Sequence, residues 1–285
     1  MTNKGFTLIE LSIVLVIIGL VASSVIIGQD MIHAAEVRAQ ITQIEKYQTA
    51  VNTFKGKYGF LPGDMPEPTA TQFGFYHRGP NAGMGDGNGL IEGIHCVEEG
   101  CNSGGLLGAG ETGVFWRDLS DAKLINNDFH TAVTDSIDVP ILSIDDFWPK
   151  AKIGLGNYVY AWSVNGFNYY SISVMFINTT DAPGYLNTAP GMPVWIANAV
   201  DTKMDDGWPE SGHVLAGYMA LWSNSGTPTW AGRGGFFGSP DSYTGPEDDS
   251  VNCMNNHGSQ ANPMGYSMEI NNGNYSACAL SFQFQ

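Results

Sequence analysis

Residues 4–27 read Lys4-Gly5-Phe6-Thr7-Leu8-Ile9-Glu10-Leu11-Ser12-Ile13-Val14-Leu15-Val16-Ile17-Ile18-Gly19-Leu20-Val21-Ala22-Ser23-Ser24-Val25-Ile26-Ile27. A helix of roughly 20 apolar residues crosses a hydrocarbon core of about 30 Å, so 6–27 is long enough to span a bilayer. Lys4, the one basic residue ahead of the run, keeps its start on the cytoplasmic side. A secretory signal peptide is the ordinary alternative, and Ala22-Ser23-Ser24 offers it a cleavage site. Two features oppose that reading. The run exceeds the roughly 7–15 apolar residues of a signal peptide. It also carries Glu10 near its start. A carboxylate inside a membrane segment is costly, so it calls for a function and a partner.

Lys4-Gly5-Phe6-Thr7-Leu8-Ile9-Glu10, followed by the uninterrupted apolar run, resembles the leader of type IV pilins and type II secretion pseudopilins. The resemblance implies that a prepilin peptidase cuts between Gly5 and Phe6 and that Phe6 becomes N-methylated. Glu10 then holds the family's acidic position. It also implies a single-pass bacterial inner-membrane protein with a periplasmic head, which later joins other subunits in a pilus or pseudopilus. The physics agrees with that role. Once cut, Phe6 bears a cationic amine in lipid, and Glu10 of a neighbouring copy is its natural counter-charge. Such a pair is costly to break in a low dielectric and can set the register of stacked helices. Many members of that family carry a proline near the end of the run. Here the place is Ile27-Gly28, and only Gly19 and Gly28 supply local flexibility.

From Asp30 to about Lys57 the helix continues as an amphipathic one. Val37, Ile41, Ile44, Val51, Phe54 and Tyr58 recur at helical spacing, while Glu36, Arg38, Gln40, Glu45, Lys46 and Lys55 fall on other faces. Gly56, Gly59 and Pro62-Gly63 end it. Lys57-Tyr58-Gly59-Phe60-Leu61-Pro62-Gly63-Asp64 resembles a segment that follows this helix in several pilin-like proteins. Residues 64–113, rich in Gly, Pro, Asn and Asp, read as a long loop, and a short helix is predicted over Val114–Leu124. Strands are predicted at Tyr158–Val164 and Phe167–Ile177, joined by the hairpin signal Asn165-Gly166. Pro193–Lys203 has helical spacing, and Val214–Trp222 and Ala277–Phe284 read as strands. The predicted fold is α+β: a long N-terminal helix, half transmembrane and half amphipathic, packed on an antiparallel β-sheet head. The leader is 1–5, the helix 6–57 with its membrane span over 6–27, and the head 58–285.

The 285 residues include 36 glycines and carry a formal net charge of −16. An acidic surface repels nucleic-acid phosphates and anionic headgroups, so no nucleic-acid partner is expected and membrane attachment rests on hydrophobic insertion. Cys96, Cys101, Cys253 and Cys278 form two clusters, as disulfides of an oxidising compartment do. Four cysteines allow three pairings. Short loops close at least entropic cost, which favours Cys96–Cys101 and Cys253–Cys278. A zinc site at His95-Cys96 and Cys101 is the alternative. The segment between Cys253 and Cys278 also resembles the disulfide-bounded C-terminal loop of type IV pilins.

Two acidic stretches are candidate calcium sites, because hard oxygen ligands converge where glycines permit sharp turns. One is Asp86-Gly87-Asn88-Gly89-Leu90-Ile91-Glu92, with Asp86 and Asn88 as ligands, although it matches only part of an EF-hand loop. The other holds Asp201, Asp205 and Asp206, where Lys203 is a competing counter-charge. Glu247-Asp248-Asp249 reads as a solvated loop. No hydrolase, metalloprotease or phosphate-loop motif occurs, so no enzymatic activity is expected. Trp222, Trp230, Phe236, Phe237, Tyr243, Tyr266 and Tyr275 are core or ligand-surface aromatics. The sequence thus reads as a structural filament subunit, minor or adhesive given its large head. A membrane-anchored carbohydrate- or calcium-binding module that does not polymerise is the competing reading.

Overall fold

The computed structural model describes residues 7–80, 83–93, 110–134, 143–177, 186–222, 225–231, 252–256 and 263–285. In chain order the elements are α1 (Leu8–Tyr58), α2 (Thr69–Gln72), α3 (Gly110–Asp121), β1 (Asn157–Val164), β2 (Phe167–Ile177), β3 (Leu186–Ala189), β4 (Met192–Pro193) and α4 (Val194–Met204). There follow β5 (Val214–Leu215), β6 (Gly217–Trp222), β7 (Ser225–Trp230), β8 (Met254–Asn255), β9 (Gly265–Tyr266), β10 (Ser276–Cys278) and β11 (Leu280–Gln283).

Helix α1 is continuous for 51 residues. It starts at a capping box, in which Thr7 and Glu10 satisfy each other's free backbone N–H groups. It stops at Gly59, whose φ of 83° suits glycine and whose N–H donates to Lys55 O. The two halves differ in what they touch. From Leu8 to Ile32 the large apolar side chains are exposed. From Val37 on, one face turns inward through Val37, Ile44, Tyr47, Val51 and Phe54. Gln40 departs from the sequence reading, which put it on an outer face. It is fully buried because its Oε1 accepts the N–H of Lys152 at 2.8 Å, while Gln43 Nε2 donates to Lys150 O. Two amides thus latch the helix to the segment that runs beside the start of β1.

The inward face of α1 meets α3 and the main sheet in an aromatic cluster. Tyr47 and Trp116 lie edge to face at 4.7 Å between centroids, and Tyr170 stacks on Phe284 at 4.2 Å. The sheet is antiparallel, ordered β1-β2-β11-β5, with β3 also paired to β2. Its β1–β2 hairpin turns at Asn165 and Gly166, both with positive φ as the short hairpin turn requires. The remaining strands form the pairs β10-β4, β6-β7 and β8-β9.

Four readings of the sequence are corrected. Val214–Trp222 is two strands, because Ala216 turns its N–H to Pro209 O and its carbonyl to Ala231 N. Strand β5 then pairs with β11, and β6 with β7. Ala277–Phe284 likewise divides at Ala279: β10 joins β4, whereas β11 joins β2 and β5. The helix predicted at Val114–Leu124 begins at Gly110 and ends at Asp121, where Lys123 adopts a φ of 58°. The stretch 64–113, read as loop, holds the short α2 and the first residues of α3.

Cys253 and Cys278 form a buried disulfide, as chain proximity favoured. Cys96 and Cys101 lie outside the described residues. The cystine joins the β8 and β10 segments across 25 residues of chain. Closing a loop of that length stabilises by about 2–4 kcal/mol. A Cys253→Ala/Cys278→Ala variant is therefore expected to lose that much in urea denaturation, and a loss below about 0.5 kcal/mol would contradict it.

Candidate functional site

The amino-terminal end of α1 carries one acid among exposed apolar residues. Glu10 Oε2 accepts the Thr7 N–H and the Thr7 hydroxyl, each at 2.8 Å. In the isolated chain, then, this carboxylate caps its own helix. Gly5 and Phe6 lie outside the described residues.

Among the described residues the head contains two carboxylate clusters. In the first, Asp64, Asp86 and Glu111 each bring one oxygen within 4.8 Å of the others. Three segments place them. Asp64 follows the turn that ends α1, Asp86 sits in the glycine-rich loop, and Glu111 opens α3. The loop is fastened at both ends, by Glu111 N donating to Gly83 O and Thr112 N to Glu92 O. Asn168 of β2 clamps its middle, accepting the Ile91 N–H and donating to Gly89 O, each at 2.8 Å. The carboxylates clasp the same loop: Glu111 accepts the N–H groups of Gly85, Asp86 and Glu92, and Asp64 Oδ2 accepts that of Gly89. Burial pushes the Glu111 carboxyl up to about 8 and Asp64 up to about 6, against the loop N–H groups that favour the charged forms.

Asp86 thus lies with Asp64 and Glu111, and Asn88 hydrogen-bonds to Asp86 beside them. The Asn88 carbonyl accepts the Leu90 N–H, and its amide nitrogen donates to Asp86 and Glu92. The sequence reading missed Asp64 and Glu111. The only trace of them is that each is an acid beside a glycine at an element boundary.

The second cluster, Asp201, Asp205 and Asp206, was predicted outright, and its oxygens also lie within 4.8 Å of one another. Asp201 is buried at the end of α4 and accepts from Tyr266 OH and Gly207 N. Burial raises its carboxyl to about 6. Asp206 accepts from Trp208 N and the Ser211 hydroxyl, and Asp205 Oδ2 from the N–H groups of His213 and Val214. Here the chain's own donors hold the carboxylates and fold the turn after α4. Lys203 makes no ion pair among the described residues.

The aromatics suggested as a ligand surface are core where they are described: Trp230 and Tyr266 are buried, and the Tyr275 hydroxyl donates to Asn252 O and Ser267 O. Phe236, Phe237 and Tyr243 lie outside the described residues, as does the side chain of Trp222. Beside α1 runs an open cleft of about 1210 Å³, lined by Arg38, Lys46, Lys123, Lys150 and Lys152 against the acids Glu45 and Asp145. It is a basic strip on a strongly acidic chain.

Residues 1–26 match the family model of the prokaryotic N-terminal methylation motif, the cleavage and methylation segment of type IV pilins and pseudopilins. The chain therefore carries a prepilin-type amino terminus, joined to a helix long and apolar enough to cross a membrane. No curated protein and no solved structure matches it.

Proposed function

We propose that this protein is a structural, non-enzymatic subunit of a type IV pilus-like or type II secretion pseudopilus filament. A prepilin peptidase cuts it between Gly5 and Phe6 and methylates Phe6. The observation that carries this reading is the division of α1. Its second half is built into the head, while its first half, Leu8 to Ile32, leaves its apolar side chains uncovered. An apolar helix projecting from a folded head is stable in two settings, a bilayer or a bundle of like helices. Before assembly the inner membrane covers it and the head is periplasmic. After assembly the helices of other subunits cover it and the heads face outward. The basic cleft beside α1 suits contact with an acidic neighbouring head, given the net charge of −16. A head of more than 200 residues suits a minor or adhesive position better than the repeating shaft.

Glu10 supplies the test. In the filament its carboxylate leaves Thr7 and meets the Phe6 amine of an adjacent copy. Breaking one partner of a buried ion pair costs about 3–5 kcal/mol, or at least a hundredfold in a subunit's association. A Glu10→Ala variant is expected to reach the membrane and be processed normally, yet to vanish from the sheared filament fraction on immunoblots. Unchanged recovery in that fraction would sink the proposed role.

A further inference from the structure

The clasp formed by Asp64, Asp86 and Glu111 gathers three carboxyl groups with no cationic side chain paired to them among the described residues. Asp64 is 1 % exposed and Glu111 is fully buried. Among the described residues none of the three makes an ion pair. Arg78 packs against Gly85 but is spent elsewhere: its guanidinium donates to Asp118, Met65 O and Tyr76 O. Independently of the clustering, Asp64 Oδ1 is buried and meets no hydrogen-bond donor among the described residues. The loop N–H groups reach Asp64 Oδ2 and both Glu111 oxygens and leave this atom bare. A buried polar atom left so calls for an explanation, and beside two further carboxyl groups a cation supplies one.

We propose that Asp64, Asp86 and Glu111 hold one calcium ion, with Asp64 Oδ1 as a direct ligand. The donor set is all carboxylate oxygen, with no histidine or cysteine, which disfavours zinc. The three carboxylate oxygens lie within 4.8 Å of one another, close enough to share one ion at calcium–oxygen distances of about 2.4 Å. Magnesium demands near-ideal octahedral geometry and keeps several of its waters, which a clasp with two buried carboxylates accommodates less readily than calcium's flexible shell. The ion ties together the turn after α1, the glycine-rich loop and the start of α3, three segments that share no strand. It therefore fixes the base of the head to the helix that carries it. The Asp201 cluster differs, because Tyr266, Ser211 and backbone N–H groups already serve its carboxylates. The site rests on the head's own residues and does not depend on the filament reading.

The test uses the full chain in detergent, stripped with a calcium chelator and titrated with calcium chloride by calorimetry and thermal melting. One calcium per chain is expected, with a rise in Tm on the order of 5 °C at saturation. Asp86→Asn, at an exposed position that does not threaten folding, should weaken binding at least tenfold, and Glu111→Gln likewise. Asp205→Asn should leave binding unchanged. The site is overturned if the stripped wild type neither binds calcium nor gains Tm, if Asp86→Asn binds as tightly as wild type, or if Asp205→Asn is the variant that loses the ion. An equal Tm gain with magnesium chloride at the same concentration overturns the calcium assignment.

Discussion

Replacing Arg78 with methionine is expected to destabilise the head by about 3–5 kcal/mol. Arg78 and Asp118 pair at 2.5 Å with both side chains fully buried. Methionine roughly fills the space of the side-chain stem but leaves Asp118 as an uncompensated buried charge, whose remaining donor is Gly63 N at 2.7 Å. Removing one partner of a buried pair costs that much because the survivor loses its counter-charge without regaining water. Folded domains have only about 5–15 kcal/mol in hand. Arg78→Lys should rescue little, since one ammonium cannot span the three separate acceptors that the guanidinium reaches. Arg78→Met combined with Asp118→Leu should recover most of the loss, because it removes the orphaned charge as well. Urea denaturation of the three variants checks this. A single Arg78→Met within about 1 kcal/mol of wild type would show that Asp118 finds another way to be satisfied. Gly63 precedes Asp64, so the same substitution should also loosen the proposed calcium site and lower its affinity.

What the sequence discloses and what it hides divide along local and distant causes. Helix α1 was legible because its evidence is local: an apolar run, apolar residues at helical spacing beyond it, and a glycine where φ turns positive. The β1–β2 hairpin was legible for the same reason, since Asn165-Gly166 both demands and permits its turn. The breaks at Ala216 and Ala279 were not. Each follows from which distant strand claims the backbone on either side, and the alternating pattern runs through both without a mark. Gln40 misled in the same way, because only a fold that brings Lys152 to it makes burying an amide favourable. Asp86 stood out through the glycines around it. Its partners did not, since Asp64 and Glu111 come from outside that loop, and the Gly89–Asp64 and Asp86–Glu111 contacts each span 25 residues of chain.

Gly5→Val is expected to abolish assembly altogether, although it leaves the helix and the head untouched. A peptidase that reads the leader must bind the chain extended across the scissile bond, and a branched side chain beside that bond obstructs the approach glycine allows. Mass spectrometry should find the variant beginning at Met1, where the wild type begins at a methylated Phe6. The consequence is electrostatic. In the uncut chain the Phe6 nitrogen is a neutral amide, so a neighbouring Glu10 has no cation to meet and remains on Thr7, the partner it has in the isolated chain. Gly5→Val and Glu10→Ala therefore remove opposite ends of one interaction. Their effects on recovery in the filament fraction should not multiply, and the double variant should be no worse than the more defective single one. A wild type that begins at Met1, or is cut near Ala22, would remove the prepilin reading itself. Recovery of Gly5→Val in the filament fraction near the wild-type level, with Met1 still in place, would show that assembly does not need the Phe6 amine as the partner of Glu10.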